Sequence, residues 1–474
     1  MKIVVRRILL EHIGIIAIAL IPLLYFTINA SFGQNYPGAI DTWFYFGLAK
    51  SFWHQWGPDF YNDYYETRLP YIIPAAIVFS LPSDRVASLI FSYLVYGACA
   101  FSLFYVSCRH VSKPAALLAT MLMAGDLFFM RAVGWQYVDG GVLAYGSLTF
   151  AALTAAATSR HRYVFVALSG FLYTSMLIVH FGSAILGLAI FGYAIFVFDM
   201  RRMVWKEFFT LLLYAGLGAL GCQVIYGLLN MYLYGTGFLF EAQQIKAGQS
   251  TVKDRAAWAA LFEPLDALLA SGWWLTVHIG VWLAAGAMIT ANLAKLYTSS
   301  RFQSYCMWTV FSIYSILFSL DYLHVTLFLG VSGLYVTSYL FLSYLFIASM
   351  LPSTLRTSTA LLIGGLFLIA LGVRFKFGGE IASELPAMPS WAVGLTLGVL
   401  LTAAGLVRNT RMLGAVVAAA LIVSLPINWS FLDSSEIYAA REAVRKAVGN
   451  RLPYFAFSKT DPIWSPVIIG WSDH

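Results

Sequence analysis

Charge is scarce in this chain. Lys, Arg, Asp and Glu make up 11% of its 474 residues, where a soluble domain carries about 25%. That scarcity excludes an ordinary soluble globular domain and a disordered, charge-rich one. Cysteine is scarce too. Cys99, Cys108, Cys222 and Cys306 all fall in or at the inner ends of hydrophobic segments, which argues against a disulfide scaffold. There is no phosphate-cradling Gly-x-x-x-x-Gly-Lys loop, no Gly-x-Gly-x-x-Gly after a strand and no His-Glu-x-x-His. Heptads, low-complexity tracts and useful internal repeats are also missing.

What is abundant is apolar sequence: 60% of residues are hydrophobic and 16% aromatic, with a mean hydropathy of +0.76. The apolar runs have helical length and are separated by short polar punctuation, so they predict helices and not the alternating runs of a barrel. The expected fold is an all-α polytopic membrane protein with about 13 transmembrane helices. The spans are placed at 8–30, 85–107, 114–131, 138–158, 163–179, 182–199, 207–229, 273–295, 302–320, 327–351, 358–373, 390–407 and 411–427. The first run follows Arg6 and Arg7 and is too long for a signal-peptide core, so it is expected to be an uncleaved span.

Net charge is +7 and the pI about 9.1. In a membrane chain this balance reads as positive charge gathered on the inner side, with no nucleic acid implied. The short loops holding Arg109 and Lys113, Arg160 and Arg162, Arg201, Arg202 and Lys206, Lys295 and Arg301, Arg356, and Arg408 with Arg411 then face inward. Apart from Glu11, Asp199 and Glu207, the acids fall toward the outer side. Three outer segments are long: 31–84, 230–272 and the tail 428–474. In the tail, Asp433 to Glu436 reads as a helix N-cap and Gly449 as its stop.

The first outer loop carries the densest chemistry. Asp41 opens a predicted aromatic helix, Asp41 to Gln55, containing Tyr45, with Phe44, Leu48 and Phe52 on one stripe. Such a helix is expected to lie flat at the outer membrane surface. Asp41 is either its N-cap or a carboxylate at the bilayer edge able to act as a general base. Glu66 and Arg68 precede Leu69-Pro70, and Pro74 follows four residues on. The prolines predict a bent, discontinuous segment. Arg68 either pairs with Glu66 or offers a planar fork to a phosphate.

Further along, Asp139 at the start of the span 138–158 is an N-cap or a functional carboxylate at the hydrocarbon boundary. Asp126, inside the span 114–131, reads as a buried hydrogen-bonded residue. His180, between two spans, is a satisfied interfacial residue or a positioning group. Lys246, Lys253 and Arg255 supply positive charge in the second long loop. Asp321 and His324 stand three apart, but nothing forms a dedicated metal motif.

These residues and their order resemble a known family. An inner N-terminus, an Asp-led aromatic helix in a long first outer loop, Glu66-Thr67-Arg68-Leu69-Pro70, Asp139 at the fourth span and Tyr234-Gly235-Thr236-Gly237 after the seventh are similar to GT-C glycosyltransferases. The similarity is to the protein O-mannosyltransferase and aminoarabinose (lipid A) transferase type. It implies an inverting glycosyltransferase of the cell envelope that takes a monosaccharide from a polyprenyl-phosphate carrier. The acceptor would be a glycan such as lipopolysaccharide, a glycolipid or a protein.

The resemblance implies roles residue by residue. Asp41 would be the base, with Asp139 positioning the acceptor. Glu66 and Arg68 would stand near the carrier phosphate. In the mechanism expected from this, Arg68 binds the donor phosphate, Lys246, Lys253 and Arg255 add positive charge to it from the second long loop, and Glu66, Tyr45 and His180 are expected to be positioning residues. No cofactor is firmly implied, although a divalent cation is compatible with the resemblance. Thr42 stands where many relatives carry a second acid, and Leu69 separates Arg68 from Pro70. Compactness and the absence of outer cysteines point to a bacterial inner (plasma) membrane, with the active site on the periplasmic face. A polytopic transporter or flippase, and a non-catalytic assembly subunit, are the competing readings.

Overall fold

The computed structural model describes residues 12–22, 45–49, 52–54, 67–82, 84–134, 137–199, 203–234, 237–239, 276–293, 300–322, 338–369, 399–400 and 402–403. Among these there are helices and turns and no strand. We number the main helices α1 (His12–Pro22), α2 (Leu69–Phe79), α3 (Asp84–His110), α4 (Lys113–Ala124), α5 (Leu127–Gly134), α6 (Val138–Thr158) and α7 (Arg162–Val179). A 3-10 turn, Phe181–Ile185, leads into α8 (Leu186–Val197). Then follow α9 (Trp205–Tyr234), α10 (Thr276–Leu293), α11 (Arg301–Tyr322), α12 (Leu340–Met350) and α13 (Thr357–Ile369). The helices α3, α6, α7 and α9 are long and apolar enough to cross a membrane. At 1.5 Å per residue, the 30 residues of α9 span about 45 Å, more than a hydrocarbon core.

Burial orders the helices into a centre and a flank. Every residue of α12 from Leu340 to Met350 is buried, as expected of a helix that is apolar on all sides. It packs against α3, α4, α6, α10 and α11. From there α3 leads to α6, α6 to α7, and α7 to α9. Along α9 only Leu211, Cys222, Gly227 and Asn230 are buried, and its other sides expose Phe209, Leu213, Leu217, Leu220 and Leu228. An apolar face open on that scale suits a membrane helix, in keeping with the length and apolar character of α9.

The α7–α9 contact is built from missing side chains. A Cβ at Gly170 would overlap the carbonyl of Ala215, and one at Gly218 would overlap the carbonyl of Ala167. Each helix thus presents an Ala-x-x-Gly step to the other, and the backbones touch. This is how helices associate when lipid removes any hydrophobic drive between them. At the Arg160 end, Arg162 pairs with Glu207 across the same two helices, and its guanidinium lies 4.7 Å from the Phe198 ring. Arg301 pairs with Asp199 at 2.7 Å. Asp199 closes the turn after α8 with φ 49°, a left-handed value that Asp tolerates better than most residues. Glu207 and Asp199 thus pair with basic residues at one end of the helices.

Three sequence expectations change. The run 114–131 is not one span: it breaks at Gly125 and Asp126, where Gly125 caps α4 and Asp126 Oδ1 accepts the Phe129 amide at 3.1 Å to start α5. The aromatic residues 45–49 are helical, but they do not lie flat on a surface. Tyr45, Phe46, Leu48 and Ala49 are buried, with Phe46 edge-on to Phe79 at 4.9 Å. Lastly, the two prolines do not interrupt residues 69–79, which form the continuous helix α2 with Pro74 inside it.

The reason for that continuity lies elsewhere in the chain. Pro74 has no N–H to give the carbonyl of Pro70, four residues back. The Tyr145 hydroxyl of α6 gives it one instead, at 2.7 Å. The same device recurs in α1. Pro22 cannot serve the Ile18 carbonyl, and the Tyr96 hydroxyl of α3 donates to it at 2.7 Å.

Two outcomes are expected for the purified protein in detergent. Gly218→Leu should lower stability by about 1–3 kcal/mol or more through overpacking, read as a fall in the thermal midpoint. An unchanged midpoint would show that the α7–α9 backbones do not meet there. Tyr145→Phe should cost about 1–3 kcal/mol, because it strands a buried carbonyl. A silent Tyr145→Phe would mean that the Pro70 carbonyl has another donor.

Candidate functional site

Four of the nominated residues lie among the described residues, and they come from separate parts of the chain: Tyr45, Arg68, Asp139 and His180. Asp41, Glu66, Lys246, Lys253 and Arg255 lie outside the described residues, as do the tail 428–474 and most of 230–272. Glu66 as an alternative partner of Arg68 therefore also falls outside them.

Arg68 sits immediately before α2 and is 1% exposed. Its Nη1 donates to the Tyr45 hydroxyl, and its Cζ lies 5.6 Å from the Tyr45 ring centre. A guanidinium stays charged wherever it is placed, and its burial needs such partners. Tyr45 is then edge-on to Tyr71 at 5.5 Å and to Tyr137 at 5.7 Å. These rings hold residues 45–49, the start of α2 and the start of α6 together.

Asp139 is also 1% exposed. It is not the N-cap of α6. Tyr137 holds that position in extended backbone, and Asp139 stands inside the first turn, where the positive end of the helix favours a carboxylate. The two glycines after it let α6 close in. A Cβ at Gly140 would come 2.6 Å from the Ala132 carbonyl oxygen. One at Gly141 would come 2.8 Å from the Tyr71 ring and 3.2 Å from Val179. Asp139 thereby reaches Tyr71. Burial first, and the Asp139 charge second, hold the Tyr71 phenol protonated.

His180 ends α7 in extended backbone, its N–H donating to the Met176 carbonyl at 3.1 Å. Its ring packs over Gly182, where a Cβ would come 2.7 Å from Cε1. Burial first, and the Arg68 charge second, push the ring down to about 3. His180 is thus a neutral imidazole at neutral pH. It can donate or accept a hydrogen bond but does not add to the positive charge of Arg68.

A second buried polar chain lies toward the same end of the bundle. The Tyr344 hydroxyl donates to Asp126 Oδ2 at 2.6 Å, so Asp126 is buried and hydrogen-bonded, as expected for it. On the adjacent residue, the Ser343 hydroxyl meets that of Tyr314, and Tyr314 meets His278 Nδ1 at 2.7 Å. Sequence reasoning overlooked this chain, together with Tyr71, Tyr137 and Tyr145. Their signal was a polar ring atom placed inside an apolar run, which aromatic abundance concealed. Among the described residues no group of three or more His, Cys, Asp and Glu is placed to hold a metal ion. The side chains of Asp321 and His324 lie outside the described residues.

The arrangement joins a fixed cation, a carboxylate, a neutral imidazole and phenols at one end of the helices. It is equipped to hold an anion beside a proton-accepting group. No family model, no curated protein and no solved structure matches this chain.

A pH dependence follows from His180. Its folded value of about 3 lies below its ordinary 6.5. As pH falls, the unfolded chain takes up the proton first, so this contribution to stability is full above about 6.5 and lost on the way down toward 3. Thermal midpoints measured from about pH 7 to pH 4 should decline less steeply for His180→Asn than for the wild type. Parallel declines would show that His180 titrates as it does in solution.

Proposed function

We propose that the chain is an inverting membrane glycosyltransferase that uses a polyprenyl-phosphate sugar and works at the Asp139 end of its helices. The observation that supports the reading is the meeting of Arg68, Tyr45, Asp139 and His180. Arg68, Asp139 and His180 were each singled out in the sequence, Tyr45 was named only as a positioning residue of the first-loop helix, and the four lie in one cluster of contacts through Tyr45 and Tyr71. In the proposed reaction an acceptor hydroxyl oxygen attacks the anomeric carbon as the bond from that carbon to the carrier phosphate oxygen breaks. The hydroxyl proton passes to a carboxylate, Asp41 in this scheme, with Asp139 orienting the acceptor. The electron pair leaves with polyprenyl phosphate, whose charge Arg68 steadies. Arg68 is covered by Tyr45, so the phosphate reaches it by replacing the Tyr45 hydroxyl as its acceptor. Lys246, Lys253 and Arg255 would add positive charge from the second loop. The proposed setting is a bacterial inner membrane with this end in the periplasm.

One feature favours a transporter as the second reading. The break at Gly125–Asp126 divides a run of span length into two short helices, and discontinuous helices form the substrate sites of many transporters. Among the described residues it has no counterpart in a matching second half.

The deciding measurement is mass spectrometry of lipid extracts. Cells lacking the gene are compared with cells carrying the wild type, Asp139→Asn, Arg68→Lys or Asp41→Asn. The deletion should accumulate a sugar-loaded polyprenyl phosphate, and a glycan should lose the matching mass. Asp139→Asn and Asp41→Asn should each lower transfer by about 100-fold or more. An unchanged carrier pool, with every variant complementing fully, would overturn the glycosyltransferase and put the transporter ahead.

A further inference from the structure

The opposite end of the bundle carries a cavity that neither the proposed chemistry nor the helix packing uses. It has a volume of about 340 Å³ and lies where α1, α3, α4 and α13 meet. Its walls are of two kinds. Ile15 of α1, Phe104 of α3 and Leu117 of α4 are apolar. Arg109, Lys113 and Thr357 gather at the helix ends, with Arg109 in the last turn of α3 and Lys113 opening α4. Thr357 opens α13, whose unpaired first amides favour an anion. No carboxylate is among the described residues that line the cavity. The Arg109 guanidinium lies 5.2 Å from the Tyr105 ring centre, which holds it along the wall.

The cavity meets the outer surface of the bundle beside α1. Ile15, which lines it, is itself 41% exposed, and α1 also exposes Ile13, Ile16 and Leu20 on its outer side. A soluble anion has no use for such walls, and an acyl chain has no use for the cations. A molecule carrying both features uses all of them. Basic clefts between membrane helices take anionic lipid headgroups in this way, and the volume is within the range of built ligand sites.

We infer that this cleft binds an anionic phospholipid, with its phosphate between Arg109, Lys113 and the start of α13 and an acyl chain along Ile15, Phe104 and Leu117. The site is independent of the proposed transfer reaction and lies at the other end of the helices. It explains why two cations border an apolar cavity and are not simply spread over solvated loops.

The test uses the purified full-length protein exchanged into an equal mixture of phosphatidylglycerol and phosphatidylcholine, with the retained lipids counted by mass spectrometry. The wild type should retain phosphatidylglycerol preferentially. Arg109→Gln with Lys113→Gln should cut that preference by roughly tenfold or more. Arg160→Gln with Lys206→Gln removes two exposed cations of the same end (both lie outside the cleft) and should leave the preference intact. An equal loss in both pairs would reduce the effect to general surface charge and overturn the site. If the first pair does not fold, Ile15→Trp decides. It fills the cleft from an exposed position without touching a charge, and wild-type preference in it would refute the proposal. A final arm adds inorganic phosphate. Complete displacement of the lipid by phosphate would identify a free-anion site and overturn the lipid assignment.

Discussion

A hydroxyl offered to a carbonyl that proline has left without a donor underlies much of this architecture. Inside an apolar bundle no water is at hand, and a helix interrupted by proline must find its missing hydrogen bond from a neighbour. Tyr145 supplies it for Pro70, and Tyr96 supplies it for Ile18 ahead of Pro22. The first of these contacts decides the most. It lets residues 69–79 stay helical and buried, which brings Arg68 and Tyr71 against the start of α6. Gly140 and Gly141 then allow the close approach that carries Asp139 to the same place. The second contact ties α1 to α3, and the position of α1 shapes one wall of the lipid cleft.

The Asp139 end is organised by unlike charges that have been taken out of water. Arg68 is buried against a phenol, and Asp139 is buried in the first turn of a helix. Neither arrangement is favourable on its own, since desolvation of a charge can exceed what its partners return. Retaining both at one end, with an imidazole kept neutral beside them, gives a fixed electrostatic field that does not have to form when a ligand arrives. The opposite end behaves differently. There the ion pairs Arg162–Glu207 and Arg301–Asp199 keep part of their surface exposed, where such pairs contribute little to stability. They join helices: Arg162 and Glu207 link α7 to α9, and Arg301 links α11 to the turn after α8.

Much of this was legible in the chain and some was not, for physical reasons. The helix Val138–Thr158 coincides with the expected span, and α3, α7, α9, α10 and α11 begin and end within a few residues of theirs. A long apolar run bounded by charge has few alternatives. Asp139, Arg68 and Asp126 were legible because a charge beside or within an apolar run is costly enough to draw notice. The continuity of α2 was not legible, since the donor that permits it lies 75 residues away. Residues 45–49 read as a surface helix because a stripe of aromatics suits lipid and protein interior equally, and only the partners Tyr71, Phe79 and Tyr137 decide between them. The break at Gly125–Asp126 escaped for a related reason. Asp126 looked like a residue within a helix, when its carboxylate begins a new one. Asp41 and the three loop cations belong to parts of the chain outside the described residues.

The enclosure of α12 has a consequence for how the chain is assembled. A ribosome delivers residues 340–350 after α3, α4, α6, α10 and α11 have emerged, and those helices surround them on every side. Until that moment Asp126, at the α4–α5 break, and Tyr314 on α11 lack the hydroxyl partners that α12 carries. Tyr344 and Ser343 bring hydroxyls to those two groups as α12 enters. The core of the protein therefore cannot be complete before an eleven-residue helix, too short to cross a bilayer alone, has left the ribosome.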